Sequence, residues 1–217
     1  MSSEKNYSFR DAHFYNIWRR IFLFIVSHIF YMIRFKLVYR LEVQGKENIP
    51  DNNKFIIAAN HLSTLDPPLI CAVMNRGVSC MAKKELFENI FMRWWLDWLG
   101  AFAVDRGKVS VSTLKTVKTI KDTNWVLGIF PQGTRQAPGE IRDITRGFAS
   151  IAKINKCGIL PVGITGTEVA RRLPFSGKIT VKIGEVIPYS ENPDEMMEKW
   201  GNAIENLTGY KYIPKSV

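Results

Sequence analysis

Apolar residues form a nearly unbroken run close to the amino terminus, between residues 21 and 33. As a helix this run would be about 20 Å long, whereas the hydrocarbon core of a bilayer is roughly 30 Å thick. Basic residues flank the run on both sides, namely Arg19, Arg20, Arg34 and Lys36. We therefore predict that residues 1–40 form a helical segment that lies in a membrane interface rather than spanning the bilayer. The alternative is an amphipathic helix that packs on the rest of the domain.

From residue 41 onward, short apolar stretches alternate with longer stretches of helical periodicity. This alternation predicts an α/β domain over residues 41–217, with a mostly parallel sheet flanked by helices. The predicted strands are residues 55–59, 78–82, 101–104, 125–130, 158–163 and 179–183. The predicted helices are residues 67–75, 85–99, 109–123, 147–155 and 194–207, and a polar tail begins at Gly209. We interpret the aromatic side chains of the helix 85–99 as core, with an acyl-chain groove as the alternative.

Composition narrows the class of partner. The chain has 217 residues, of which 46% are hydrophobic, and its formal net charge is +10. Such a charge predicts an anionic partner: nucleic acid, anionic lipid head groups or a phosphorylated substrate. The three cysteines form no Cys-x-x-Cys pair, so a reducing, cytosolic setting fits better than a disulfide framework. Because the chain contains neither a nucleic-acid recognition motif nor a His-Glu-x-x-His pattern, we expect no nucleic acid and no metal.

A polar segment with a histidine and an aspartate follows the predicted strand 55–59. Ligands of open α/β sheets gather beyond the carboxyl ends of strands, so His61 lies where a site is expected. Asp66 would ordinarily cap the next helix, but Pro67 and Pro68 occupy the first two helical positions and Pro68 has no N–H to offer. The carboxylate therefore has capacity to orient His61, as the acid does in catalytic triads.

Three further loops contain glycine and cationic residues. They are Asp105 and Arg106 after the strand 101–104, the stretch Gln132, Gly133, Thr134 and Arg135 after the strand 125–130, and Arg146 before the helix 147–155. Backbone N–H groups of a glycine turn, a hydroxyl and a guanidinium can together bind a phosphate, and a helix N-terminus favours an anion. Each loop alone is typical of solvated surface, but the three together predict one anion site assembled from loops.

These residues resemble a known family, the glycerophospholipid acyltransferases, and in particular the 1-acyl-glycerol-3-phosphate acyltransferases. Four blocks match in order over about residues 41–190. The first is Asn60, His61, Ser63 and Asp66, with the His-x4-Asp spacing; the second is Phe102, Val104, Asp105 and Arg106; the third is Phe130, Pro131, Gly133, Thr134 and Arg135; the fourth is residues 159–162. Lys83, in a lysine-rich stretch, and Arg146 also look like family features near the phosphate pocket.

The resemblance implies acyl transfer from acyl-coenzyme A or acyl carrier protein to the sn-2 hydroxyl of lysophosphatidate, without a cofactor. His61 would be the base and Asp66 would orient it. The other matched residues would bind substrate, namely Asn60, Ser63, Lys83, Asp105, Arg106, Gln132, Gly133, Thr134, Arg135 and Arg146. Ser63 is interpreted as support for the turn rather than as a nucleophile, because no Gly-x-Ser-x-Gly elbow is present. The expected location is the cytoplasmic face of a membrane with anionic lipids.

One position departs from the family pattern. The third block usually contains glutamate where this chain has Gln132. A neutral amide accepts and donates hydrogen bonds but cannot act as a carboxylate. A catalytically silenced, lipid-binding relative therefore stays open as an alternative, and so does an acceptor other than lysophosphatidate, such as glycerol-3-phosphate or another lyso-lipid.

Overall fold

The structure, a computed structural model, describes residues 7–105, 110–172, 175 and 177–214. The strands of this part are β1 (Glu42–Gln44), β2 (Phe55–Ala59), β3 (Gly77–Lys83), β4 (Phe102–Val104), β5 (Trp125–Ile129), β6 (Glu140–Ile141), β7 (Gly158–Thr165), β8 (Thr180–Ile183) and β9 (Lys211–Tyr212). Seven of these strands form one sheet in the spatial order β1-β8-β7-β2-β5-β3-β4, and β6 pairs with β9 apart from it.

The central strands run in one direction. β7, β2, β5, β3 and β4 are mutually parallel, whereas β8 lies antiparallel to β7 and carries β1 beside it. The predicted α/β fold with a mostly parallel sheet is therefore confirmed. The carboxyl ends of five strands meet at one edge of the sheet, which we call the carboxyl edge. The loops that follow these strands lie along this edge, where α/β proteins bind their ligands.

Helices cover both faces of the sheet. They are α1 (Ile17–Ile25), α2 (Ile33–Tyr39), α3 (Asp66–Met74), α4 (Ile90–Trp98), α5 (Val111–Lys121), α6 (Gly147–Asn155), α7 (Thr167–Arg172) and α8 (Pro193–Thr208). Right-handed crossovers place α3 and α4 on one face and α5 and α6 on the other. The segment around α1 packs against α3 and α4 on the first face, and α8 packs against α6 on the second.

The N-terminal apolar run is longer as a helix than the sequence predicted. A π-helical stretch, Val26–Met32, joins α1 to α2, so that one continuous helix of 23 residues runs over Ile17–Tyr39. We call it the N-terminal helix; at 1.5 Å per residue it is about 35 Å long. The apolar run itself is still about 20 Å long, and the helix exceeds it because helical hydrogen bonding continues through the basic flanks. By length and composition alone this helix could cross a membrane. Core helices of soluble proteins and signal sequences have the same length and composition.

One side of the N-terminal helix belongs to the main hydrophobic core. Leu23, Phe35 and Tyr39 are at most 2% exposed and lie in the same cluster as the central strands. The end of this helix is also joined to the sheet, because the N–H of Ile179, the residue before β8, donates to the carbonyl of Tyr39. The division of the chain at residue 40 stays a prediction.

Several predicted elements differ in detail. The helix predicted over residues 85–99 is a 3₁₀ turn, Lys84–Phe87, followed by α4, because the side chain of Asn89 accepts from the N–H groups of Phe91 and Met92 and starts a new helix there. The polar tail that begins at Gly209 contains β9, which pairs with β6. Three further short elements, β1, β6 and α7, had no counterpart in the prediction.

Candidate active site

The strand β2 ends at Ala59 and delivers a buried turn to the carboxyl edge. In this turn the Nδ1 of His61 lies 2.8 Å from Oδ2 of Asp66. The Asp66 side chain is fully buried, whereas that of His61 is 12% exposed. The pair predicted from the His-x4-Asp spacing is therefore formed, with the histidine on the solvent side of the aspartate.

Asp66 does not cap its helix. Its Oδ2 also accepts from the backbone N–H groups of Leu62 and Ser63, each at 2.7 Å, and its Oδ1 accepts from the hydroxyl of Thr167 at 2.6 Å. With backbone donors on Oδ2, the remaining contact of this oxygen must come from an Nδ1–H of His61. The Nε2 of a neutral His61 is then left as a proton acceptor, which is the tautomer that a general base needs.

Thr167 is a site residue that the sequence analysis missed. It is fully buried and opens α7 directly after β7, and the preceding Gly166 has a φ of +87°. A Cβ on Gly166 would lie 2.1 Å from the carbonyl oxygen of Lys178, so glycine is required for this approach. A hydroxyl residue after a glycine at the end of a parallel strand was the available signal. No pattern in the sequence pointed from Thr167 to Asp66, however, because 101 residues separate them.

Asn60 and Ser63 support the turn from inside. Asn60 is fully buried, and its amide pairs with the backbone of Ile164 in β7, accepting at 2.7 Å and donating at 2.8 Å. Ser63 is 1% exposed, and its hydroxyl accepts from the N–H of Leu65 at 3.3 Å. Asn60 thus ties β2 to β7 and Ser63 braces the turn, and contact of either side chain with substrate stays a prediction.

The loop after β5 covers the other side of His61. The ring of Phe130 stacks on the imidazole at a centroid distance of 4.3 Å. Gln132 is 4% exposed, and its Oε1 accepts from the backbone N–H of His61 at 2.8 Å. Within the described part of the chain, the Nε2 of Gln132 has no hydrogen-bond partner. Since a backbone N–H can only donate, the amide oxygen must face His61 and the NH2 group must point elsewhere.

A tight turn sets the geometry of this loop. The N–H of Gly133 donates to the carbonyl of Phe130 at 2.9 Å, with Pro131 at the second turn position. Gly133 has a φ of +67°, a conformation that favours glycine. Beyond the turn, the N–H of Gln136 donates to the carbonyl of His61. The loops after β2 and β5 are therefore joined by hydrogen bonds in both directions.

The predicted phosphate-binding side chains are exposed. Thr134 and Arg135 follow the β5 turn and point into solvent, as Arg146 does at the start of α6. The guanidinium of Arg146 pairs with Asp194 at 2.6 Å, with both side chains more than half exposed. Such an exposed pair is worth little and leaves the guanidinium available to a phosphate.

The remaining predicted residues lie farther along the carboxyl edge. Lys83 ends β3 and pairs with Glu85 at 3.1 Å, and Asp105 is an exposed residue that directly follows β4. With strands about 4.8 Å apart, β3 lies about 10 Å and β4 about 14 Å from β2. Arg106 lies outside the described residues.

The arrangement places an oriented base, His61, beside loops that contain glycine and cationic residues. Among the described residues, no group of three or more histidine, cysteine, aspartate or glutamate side chains is placed to hold a metal ion. An oriented imidazole with exposed cationic side chains nearby suits transfer to the hydroxyl of a phosphorylated acceptor.

Comparison with known proteins decides which family uses this arrangement. A family model described as Acyltransferase matches residues 40–165, more than half of the chain. The chain belongs to the acyltransferase family. The 1-acyl-sn-glycerol-3-phosphate acyltransferase of Bacillus subtilis is 35% identical to it over 177 residues, covering 77% of this chain and 87% of that protein. The Streptococcus pneumoniae protein of the same name is 32% identical over 165 residues, covering 73% of this chain and 61% of that protein.

A solved structure agrees with the fold of this acyltransferase. The crystal structure of the 1-acyl-sn-glycerophosphate (LPA) acyltransferase PlsC from Thermotoga maritima matches with a TM-score of 0.61 and 26% identity, over 76% of this chain and 71% of that chain. The range matched by the family model, residues 40–165, contains His61, Asp66, Gln132, Arg135 and Arg146, and it ends two residues before Thr167.

Proposed function

We propose that this acyltransferase moves a fatty acyl group from a thioester donor to the sn-2 hydroxyl of lysophosphatidate, forming phosphatidate for phospholipid synthesis. The observation that carries the proposal is the His61–Asp66 pair, whose geometry leaves Nε2 of His61 as a proton acceptor beside a cationic loop. The relatives support the acceptor, since the Bacillus subtilis and Streptococcus pneumoniae proteins are both named for 1-acyl-sn-glycerol-3-phosphate.

In the reaction, Nε2 of His61 removes the proton of the acceptor hydroxyl as its oxygen attacks the thioester carbonyl carbon. The new C–O bond forms, the C–S bond breaks, and the departing thiolate takes up the proton that His61 holds. The carboxylate of Asp66 stabilises the imidazolium between these two proton transfers. No acyl-enzyme is required, because the acceptor hydroxyl itself is the nucleophile.

The phosphate of the acceptor would be held by the exposed loops of the carboxyl edge. Thr134 and Arg135 lie on the loop whose other end contacts His61, so a phosphate bound there fixes the hydroxyl near Nε2. Arg146 and Arg106 would complete the cationic surroundings, with Lys83 and Asp105 at the far side. Holding two reactants in this way can supply several kcal/mol of the barrier, about 7–11 in well-oriented systems.

The acyltransferase would work at a membrane surface, and its N-terminal helix supports this part of the proposal. The outward side of this helix carries an exposed apolar stripe at spacings of three or four residues: Trp18, Ile21, Ile25, Ile29, Ile33 and Leu37. Exposed cations Arg34, Lys36 and Arg40 lie at its carboxyl end, where they would meet anionic head groups. Peripheral or monotopic attachment to the cytoplasmic leaflet is the arrangement we propose.

The donor is a thioester of phosphopantetheine, carried either by coenzyme A or by acyl carrier protein. Both donors present the same reacting group to His61, so the site geometry suits either.

Gln132 raises one competing function, that of a silenced lipid-binding relative. Its amide oxygen accepts a hydrogen bond from the N–H of His61 as a carboxylate oxygen would, so glutamine retains this structural contact.

The proposed function is tested by measuring acyl transfer from labelled acyl-coenzyme A and acyl carrier protein to lysophosphatidate on anionic vesicles, with glycerol-3-phosphate as a second acceptor. We expect phosphatidate from the parent protein and none from a His61→Ala control.

The Gln132→Glu variant separates the two functions. It keeps an acceptor for the His61 N–H and replaces the NH2 group, which has no partner among the described residues, with a second oxygen. Transfer by the parent at a rate close to that of the variant supports the enzyme, whereas activity only in the variant would identify a silenced relative.

A further inference from the structure

The helix α4 has its amphipathicity inverted. All nine of its residues are described and none of them is buried. The apolar side chains of its first turns are among the most exposed of the protein: Ile90 61%, Phe91 82%, Met92 41% and Trp94 55%. A helix on the surface of a soluble domain normally turns such residues towards the core and its charges towards water. The prediction that the aromatic residues of 85–99 form core was therefore wrong for Phe91 and Trp94, whereas Phe87, in the turn before α4, is fully buried.

The charged residues of α4 point inward instead. A guanidinium N–H of Arg93 donates to the hydroxyl of Tyr7 at 2.6 Å. Asp97 forms an ion pair with Arg10, and its backbone carbonyl accepts from Nε of Arg19 at 2.9 Å. Burial raises the pKa of Asp97 even though three arginines surround it. Both charges of the helix are thus used to fasten the segment that precedes the N-terminal helix, and the outward side is left to apolar groups.

The apolar side of α4 continues the exposed stripe of the N-terminal helix. Phe22 joins the two, because its ring contacts the rings of Trp94, Trp95 and Trp98 at centroid distances between 5.2 and 6.4 Å. Trp94 is therefore half exposed and half packed on the N-terminal helix. Exposed tryptophan and phenylalanine beside an apolar helix are typical of the interfacial region of a bilayer, where a ring is partly in hydrocarbon and partly at head-group level.

We propose that α4 is a second membrane-contacting element, whose Ile90, Phe91 and Trp94 side chains insert into the same lipid surface as the N-terminal helix. This inference rests on the proposed membrane function and deepens it. Because the N-terminal helix and α4 would both contact the lipid surface on one face of the sheet, the catalytic domain would be held in one orientation. Both helices meet the carboxyl edge, since α4 follows β3 and the N-terminal helix ends beside the start of β8. The site would then open at the level of the head groups.

Apolar insertion, rather than charge, would hold α4 to the lipid. The residues just before the helix carry both signs, Lys83 and Lys84 with Glu85 and Glu88, and their contributions offset one another. The contribution of α4 should therefore be nearly independent of salt and of anionic lipid, in contrast to that of the basic residues of the N-terminal helix.

The experiment is vesicle co-sedimentation of the full chain without an acyl donor, on phosphatidylcholine vesicles with and without phosphatidylglycerol. The variant is Ile90→Ser with Phe91→Ser. The matched control is Val111→Ser with Ile154→Ser, two residues that are 70% and 61% exposed on the opposite face. We expect the α4 variant to bind at least about tenfold more weakly, equivalent to about 1.4 kcal/mol, on both vesicle types and at low and high salt. The control should bind as the parent does, and thermal melts should coincide because all four side chains are exposed.

Equal binding by the α4 variant and the control would overturn the proposal. A second contradicting result would be a dimer of the parent protein without lipid that becomes a monomer in the α4 variant, measured by light scattering, while vesicle binding stays the same. The exposed face of α4 would then contact a second copy of the chain. If α4 instead lined an acyl groove, the α4 variant would lose as much turnover on a short-chain, water-soluble lysophosphatidate as on vesicle-bound lysophosphatidate. Binding is measured without turnover, so a parent that binds through α4 but transfers no acyl group would remove the proposed function and leave this inference intact.

Discussion

The two halves of the active site are held in opposite ways. Around Asp66, groups from the turn after β2 and from the starts of α3 and α7 meet in short hydrogen bonds, and each oxygen of the carboxylate is used. Around Arg135 and Arg146, side chains are exposed, and the ion pair of Arg146 with Asp194 lies at the surface. The half that we propose to handle a proton is thus built before substrate arrives, whereas the half that we propose to bind phosphate is free to adapt to it.

This difference teaches where substitutions should act. Changes in the buried half should lower the rate constant or the stability, because the transition state depends on preformed geometry. Changes in the exposed half should mainly weaken acceptor binding, because the partner of those side chains is the ligand itself. The following variants test this contrast, from the largest expected effect to the smallest.

Replacement of His61 by alanine should remove the base. We expect kcat for phosphatidate formation to fall by about 10²–10⁴-fold or more, with a melting temperature close to that of the parent because the imidazole lies at the rim of the core. His13, an exposed histidine of the amino-terminal 3₁₀ turn, provides the control variant His13→Ala. Normal turnover by the His61→Ala protein would refute the mechanism.

The Asp66→Asn variant should lose both activity and stability. The amide nitrogen can no longer accept, so at least one donor among Leu62, Ser63, His61 and Thr167 loses its partner, at a cost of about 1–3 kcal/mol. The imidazole tautomer is also no longer specified, so kcat should fall by about 10²-fold or more. Thermal melting and kinetics are measured together, and a variant with unchanged kcat would show that orientation by Asp66 is unnecessary.

Arg135→Ala should separate the two halves. A charge-assisted hydrogen bond to phosphate is worth about 1.5–3 kcal/mol, so the KM for lysophosphatidate should rise about 10- to 100-fold while kcat changes much less. Arg142 lies seven residues later on an exposed position and pairs with Glu140, so Arg142→Ala is the matched control. If kcat fell while KM stayed constant, the exposed half would act on the chemical step and the comparison would fail.

Thr167→Val should have the smallest effect on turnover, since it removes one of four hydrogen bonds to Asp66 without removing the carboxylate. The free energy of unfolding should fall by about 1.5–3 kcal/mol, the range for a hydrogen bond to a charged group. The Thr167→Ser variant keeps the hydroxyl and should recover most of the lost stability in denaturant titrations. Equal stability of the valine and serine variants would mean that the hydroxyl contributes nothing.

Parts of this protein followed directly from the order of its residues. The alternation of apolar strands and periodic helices predicted the α/β class, and four spaced blocks predicted the acyltransferase family, which the comparisons confirm. The pair His61 and Asp66 could be predicted because it is local: five residues and one turn bring the two side chains together. The glycine turn after β5 is local for the same reason.

Other features depended on the tertiary structure, because they join residues that are distant along the chain. The hydroxyl of Thr167 reaches Asp66 only because β7 lies beside β2, and Gln132 reaches the His61 backbone only because β5 lies on its other side. The same holds for α4: its composition is that of a core helix, and the packing of its charges against Tyr7 and Arg10 turned its aromatic residues outward. A sequence specifies which groups are available, but strand order and helix rotation decide which of them meet each other and which face the surroundings.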